Sequence, residues 1–124
     1  MATERLERIN TVLRELRANL PEVEAVVLIS SDAMALASDI SDDSDEEMIS
    51  ALSSSVLNMG ERAARDLRRG VLEQVFIKGD QGSLLLMHCG PQALLSLMVK
   101  PEAKLGVVLM EAKRTVEELS RLFD

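Results

Sequence analysis

Apolar residues recur at two different periods along the chain, and the points where the period changes mark its elements. Leu6, Ile9, Leu13, Leu16 and Leu20 are spaced by three and four, with Val12 beside them, which predicts a helix with one apolar stripe. Thr3 is placed to cap its start. Pro21 ends it, because the residue before a proline is pushed out of the α region. The short, partly β-branched run Ala25-Val26-Val27-Leu28-Ile29 then predicts a strand near the middle of a sheet. Residues 30–33 read as a turn and residues 34–37 as a second strand, together a hairpin. That turn has no glycine, so Asp32 is the expected left-handed position.

Residues 39–45 are polar and acidic and lead into a second helix. Ser44 followed by Glu47 predicts a capping box at its start, and Gly70 a C-terminal signal. Between them Met48, Leu52, Val56, Met59, Ala63 and Leu67 form an apolar stripe, while Ile49, Val56 and Leu57 form a second apolar set. Serines, alanines and Gly60 are scattered throughout, and small side chains let another element approach closely. A helix that only covers its own sheet needs one apolar face. The surplus predicts contact with a second subunit.

Three strands follow, at residues 71–77, 83–89 and 92–99, with a hairpin turn at residues 79–82. The last two are almost continuously apolar, as expected for strands covered on both faces. The first is partly polar and reads as an edge, open to pairing with another chain. Leu105, Val108, Leu109, Ala112, Val116, Leu119 and Phe123 mark a final helix. The order αββαβββα predicts an α/β protein of the α+β type, one domain over residues 1–124.

Charge changes the picture more than composition does. The 124 residues sum to −7, yet residues 18–61 contain ten acids and no lysine or arginine. Arg62, Arg65, Arg68 and Arg69 then crowd the end of the second helix. Acids at a helix start and cations at its end both complement the helix dipole. The acidic stretch would repel a nucleic-acid backbone and suits a basic protein patch. One cysteine cannot form an internal disulfide, no signal peptide is visible, and no run is long enough to span a bilayer. A cytoplasmic protein with no membrane insertion is expected.

Reactive sets are scarce. His88 and Cys89 are adjacent, so in a strand they point to opposite faces. Zinc needs about four ligands, commonly histidine and cysteine, and the chain has one of each. Asp39, Asp42, Asp43 and Asp45 lack the central glycine and closing spacing of a calcium loop. Gly79, Gly82 and Gly106 do not build a phosphate loop. No metal, no cofactor and no enzymatic activity are expected. The arginine cluster is open to three readings: a helix terminus, a docking surface, or an arginine lent to a nucleotide-hydrolysing partner.

The segments Leu20-Pro21-Glu22-Val23-Glu24-Ala25-Val26-Val27-Leu28 and Ser31-Asp32-Ala33-Met34-Ala35-Leu36-Ala37-Ser38 fit one known pattern. The helix centred on Leu57-Asn58-Met59-Gly60-Glu61-Arg62-Ala63 and the run Glu73-Gln74-Val75-Phe76-Ile77-Lys78-Gly79 fit it too. With Lys104-Leu105-Gly106-Val107-Val108-Leu109, these segments resemble, in order and spacing, the Roadblock/LC7 family. That family includes the bacterial MglB-type regulators of Ras-like GTPases. The resemblance implies a profilin-like fold: a five-stranded antiparallel sheet with the long second helix on one face and the two terminal helices on the other. It implies a homodimer formed by the third strand and second helix, and a small Ras-like GTPase as partner. On that basis the dimer interface is expected at Leu52, Ser55, Val56, Met59, Val71, Glu73 and Val75. The GTPase surface is expected near Glu61, Arg62, Arg65, Arg68 and Arg69. The alternatives are a passive dimeric scaffold and a small-ligand sensor. Ala33 stands where the family usually has glycine, which puts the local turn geometry in question.

Overall fold

Residues 23–30, 82–88 and 93–99 are apolar at most positions, and a strand sends alternate side chains to opposite faces. A sheet built from them has to be covered twice. The computed structural model describes residues 2–41 and 44–122. Its elements are α1 (Ala2–Asn19), β1 (Val23–Ser30), β2 (Ala35–Ile40), α2 (Glu46–Asp66), β3 (Gln74–Gly79), β4 (Gly82–His88), β5 (Ala93–Val99) and α3 (Leu105–Arg121). The strands form one antiparallel sheet in the order β2-β1-β5-β4-β3. This is the α+β, αββαβββα arrangement that the pattern predicts. Asp42, Asp43 and Phe123 lie outside the described residues.

On one face, Val26, Leu28, Leu85, Leu95 and Leu97 pack with Leu13 and Leu16 of α1 and Val108, Ala112 and Leu119 of α3. On the other, Ala25, Val27, Ile29, Leu86 and Leu94 pack with Ile49 and Leu57 of α2. Each fully buried leucine stabilises by about 1.5–3 kcal/mol, so these two layers dominate over any exposed ion pair. One polar anchor sets the end of α1. Arg17 Nε donates to the Val23 carbonyl at 3.1 Å, and Arg17 Nη1 lies 3.5 Å from Asp39. That pair holds Asp39 within β2, so the strand runs on to Ile40 instead of ending at residue 37.

Several termini differ from the sequence reading. Helix α1 begins at Ala2, so Thr3 sits inside its first turn and is not the cap. The cap of α2 is Asp45, whose carboxylate accepts from the Met48 amide at 3.1 Å, and the Ser44–Glu47 box does not form. A carboxylate is the stronger acceptor beside the positive end of a helix. In the first hairpin the left-handed residue is Ala33 (φ +66°), one position after Asp32. The Asp32 carboxylate instead accepts from the Ser30 hydroxyl.

Helix α2 also stops short of Gly70. Leu67 is the C-cap, the Arg69 amide donates to the Ala64 carbonyl at 2.6 Å, and the Arg68 amide to the Arg65 carbonyl at 3.1 Å. These are the two bonds of a Schellman motif, and Arg68 (φ +57°) occupies the left-handed position that glycine normally takes. A side chain there costs roughly 1–2 kcal/mol. Arg68→Gly is therefore expected to stabilise the fold by about 1 kcal/mol, seen as a higher urea midpoint at unchanged slope and fixed protein concentration. A lower midpoint would contradict the strain assignment.

Candidate functional site

Helix α2 meets the sheet largely through small residues. Its buried residues are Ile49, Ser50, Ser53 and Leu57, with the Ser53 and Ser96 hydroxyls 2.9 Å apart beneath it. Four members of the apolar stripe point outward: Met48 is 58% exposed, Leu52 57%, Met59 66% and Leu67 68%. The reason is steric. Serines on the underside let the helix lie close to β5, and the larger side chains are left on its flank. Gly60 extends this closeness to β3, since a Cβ there would stand 3.0 Å from Val75 Cγ2 and 3.3 Å from Leu72 Cδ2.

This apolar flank belongs to the β3 side of the domain. Leu52, Val56 and Gly60 follow one another at intervals of four along α2, and Gly60 rests on Val75. Nearer the start of α2, Met48, Ile49 and Leu52 form one wall of a groove of about 790 Å³ whose other wall is Ile77, Leu84 and Met98. Glu24, Asp45 and Asp80 also line the groove, and among the described residues no basic one does.

The sheet has two free edges, and they are built differently. Strand β2 carries a bulge, with Leu28 paired to Ala37 and Ile29 to Ala35, so that Leu36 is the extra residue. It also turns the charged Asp39 inward to Arg17. Bulges and inward charges both discourage strand pairing. Strand β3 has neither device. It runs in unbroken register with β4 from Gln74 to Gly79, and it exposes Phe76 and Ile77.

Of the residues expected at a dimer interface, Leu52, Ser55 and Met59 are exposed on the flank of α2, and Val56 is half-buried beside them. Val75 is half-buried on β3 under Gly60. Val71 and Glu73 are exposed but precede β3. The strand begins at Gln74, because the Schellman turn and residues 70–73 are used to bring the chain back under α2, with Leu72 against Gly60.

The residues expected to meet a GTPase cluster at the C-terminal end of α2 and are all at least partly exposed. Glu61 Oε2 lies 3.4 Å from His88 Nε2. Arg62 and Arg65 each lie 3.5 Å from Asp66. Arg69 Nε donates to the Leu67 carbonyl at 3.1 Å, and Arg68 forms the left-handed turn. Arg68 and Arg69 thus build the helix terminus, while the guanidinium groups of Arg62 and Arg65 are held only by exposed pairs worth about 0–1 kcal/mol each.

His88 and Cys89 do face opposite sides. Cys89 lies in the α1–α3 layer, its thiol 3.9 Å from the Val116 carbonyl. Burial pushes the thiol from 9.0 up to about 11, partly offset by a hydrogen bond with Ser120. A thiol so protonated is a poor nucleophile. Among the described residues, no three histidine, cysteine or acidic side chains converge in a metal-binding group. The folded state resists losing the Cys89 proton, so stability is complete below pH 9 and falls as the pH rises from 9 to 11. Cys89→Ala should remove that alkaline decline. An identical pH profile in the two proteins would show that Cys89 is not its source.

The domain is thus a sheet between two helical layers, with an apolar helix flank beside an open strand edge. The chain belongs to the Roadblock/LC7 domain family, whose pattern matches residues 9–99. It is 27% identical over 115 residues to the uncharacterized protein MJ1340 of Methanocaldococcus jannaschii, covering 93% of this chain and 99% of that one. Its fold is similar to Myxococcus xanthus MglB, with a TM-score of 0.88 and 19% identity, covering 95% of this chain and 89% of that one. It is also similar to a Roadblock/LC7 domain from Streptomyces avermitilis, with a TM-score of 0.86 and 21% identity, covering 92% and 96%. No described helix is long and apolar enough to cross a membrane.

Proposed function

We propose that this chain is a non-enzymatic, homodimeric regulator that binds a small Ras-like GTPase and adjusts its hydrolysis of GTP or its position. The observation that carries the dimer is the continuity of the exposed α2 flank with the unprotected β3 edge. Two copies related by a two-fold axis would extend the sheet through β3 and lay their α2 helices side by side and antiparallel. Charge supports that orientation. The start of α2 carries Asp45, Glu46 and Glu47, and its end carries Arg62, Arg65, Arg68 and Arg69, so antiparallel helices set acid against base. Such a partner would also close the acidic, apolar-walled groove beside Met48 and Leu52. This argues against a small-ligand sensor.

Membership of the Roadblock/LC7 family and likeness to MglB support a GTPase as the regulated partner. The arginine-bearing end of α2 is the surface proposed for it, made of Glu61, Arg62, Arg65, Arg68 and Arg69. In this reading the catalytic groups belong to the GTPase, and the dimer acts on their arrangement.

Met59→Glu puts two carboxylates into the proposed apolar contact. It is expected to weaken the dimer at least ~30-fold, read by sedimentation at micromolar protein. A wild-type protein that stays monomeric there would overturn the dimer. For the second half, a Ras-like GTPase captured on the tagged protein in native cells is assayed for GTP hydrolysis with and without the dimer. A changed rate supports regulation, and an unchanged rate despite binding supports the passive scaffold. The double variant Arg62→Glu, Arg65→Glu should weaken that binding about tenfold or more. Undiminished binding would remove both arginines from the contact.

A further inference from the structure

On the face opposite α2, strand β3 has no helix directly over it. Helix α3 runs beside it and leaves an apolar cleft of about 200 Å³ between the two, walled by Phe76 and Leu85 on the sheet and by Leu105, Val108 and Leu109 on α3. Phe76 is 39% exposed and Leu105 38%. Gly106 adds no side chain to the cleft wall, and a Cβ built there meets nothing within 4 Å. The cleft is concave, and it is smaller than the roughly 300–1,000 Å³ of a typical small-molecule site. A cleft of that size suits an anchoring side chain or two from another protein.

The charge around it is unlike the rest of the chain. Each of the four lysines of this acidic sequence, Lys78, Lys100, Lys104 and Lys113, lies within four residues along the chain of a residue that lines the cleft. Lys78 is two residues beyond Phe76, on the same face of β3. Lys100 follows Val99, a cleft residue at the end of β5, and Lys104 immediately precedes Leu105. Lys113 is one turn beyond Leu109 on the same side of α3. Lys78, Lys100, Lys104 and Lys113 are all exposed. Glu102 lies between two of them, Glu117 one turn past Lys113 and Glu73 beside the cleft residue Gln74, so the lysines outnumber these acids four to three.

We propose that this lysine-rimmed cleft is a docking site for an acidic amphipathic helix of a partner protein, with one or two large apolar side chains seated against Phe76 and Leu105 and carboxylates meeting the lysines. The mode is a helix in a groove, with apolar anchors for affinity and a charged rim for selection. The surface is separate from the α2 flank. Pairing of β3 through its free edge would leave it open, because the side chains of Phe76 and Lys78 stand perpendicular to the sheet. It therefore does not rest on the dimer or on the GTPase.

The probe is a fluorescein-labelled synthetic amphipathic helix about four turns long, with leucines along one face and glutamates flanking them. Its twin carries lysines in place of the glutamates. The glutamate peptide should bind, its affinity should fall with added salt, and its twin should bind at least ~10-fold more weakly. The triple variant Lys78→Glu, Lys104→Glu, Lys113→Glu should reverse that preference, and Phe76→Ala should weaken both peptides. All four changes are at exposed positions, and circular dichroism checks that each variant keeps the wild-type fold. Equal binding of the two peptides would overturn the proposal. So would binding unaffected by the lysine and Phe76 variants, or lysine-dependent binding to phosphatidylserine vesicles with none to the peptide.

Discussion

Everything in this structure follows from a sheet that is apolar on both faces. Strands β1, β4 and β5 cannot be left bare on either side, and the described residues supply three helices with which to cover ten strand faces. Two of them, α1 and α3, share one layer, and α2 alone spans the other. The cover is therefore complete over the centre and thin over β3 on both faces. The groove beside Met48 and Leu52 and the cleft beside Phe76 are the two consequences of that shortage.

Close packing of α2 sharpens the effect. Ser50 and Ser53 on its underside and Gly60 over Val75 bring the helix down onto the sheet, so the bulk that a helix usually buries stands on its flank instead. The same helix carries acids at its start and arginines at its end. Within one molecule that arrangement complements the helix dipole, and between two antiparallel copies it becomes attraction. One local device thus serves stability and orientation together. The price is paid at the terminus, where an arginine holds the left-handed turn.

Element types and order were legible in the sequence because period-two and period-3.6 patterns differ over long runs, and the family pattern spans most of the chain. What could not be read was how closely α2 approaches its own sheet. The apolar stripe and the second apolar set left the sheet-facing side of α2 open, and the buried Ser53–Ser96 contact shows that small polar residues occupy it. Ser50 and Ser53, with Gly60 two turns further along the same side, were the available signal. The helix ends were misread for a second reason. Asp45 competes with Ser44 for the same cap, and Arg68 takes a conformation that composition reserves for Gly70. The expected contact residues on α2 and Val75 do share one side of the domain, whereas Val71 and Glu73 precede the strand assigned to them. The bulge at Leu36, which separates the two sheet edges in character, depends on register and so is invisible in one dimension.

The central claim is that the open edge of β3, and not that of β2, is where this domain meets a second copy. Amide hydrogen exchange measured at rising protein concentration tests it directly, because pairing protects the outward-facing backbone N–H groups of an edge strand. The account predicts protection that grows with concentration at residues 74–79 and along the flank of α2, with the amides of residues 35–40 unchanged. Protection that grows at β2 instead, or a β3 edge whose exchange stays fast at every concentration, would contradict it.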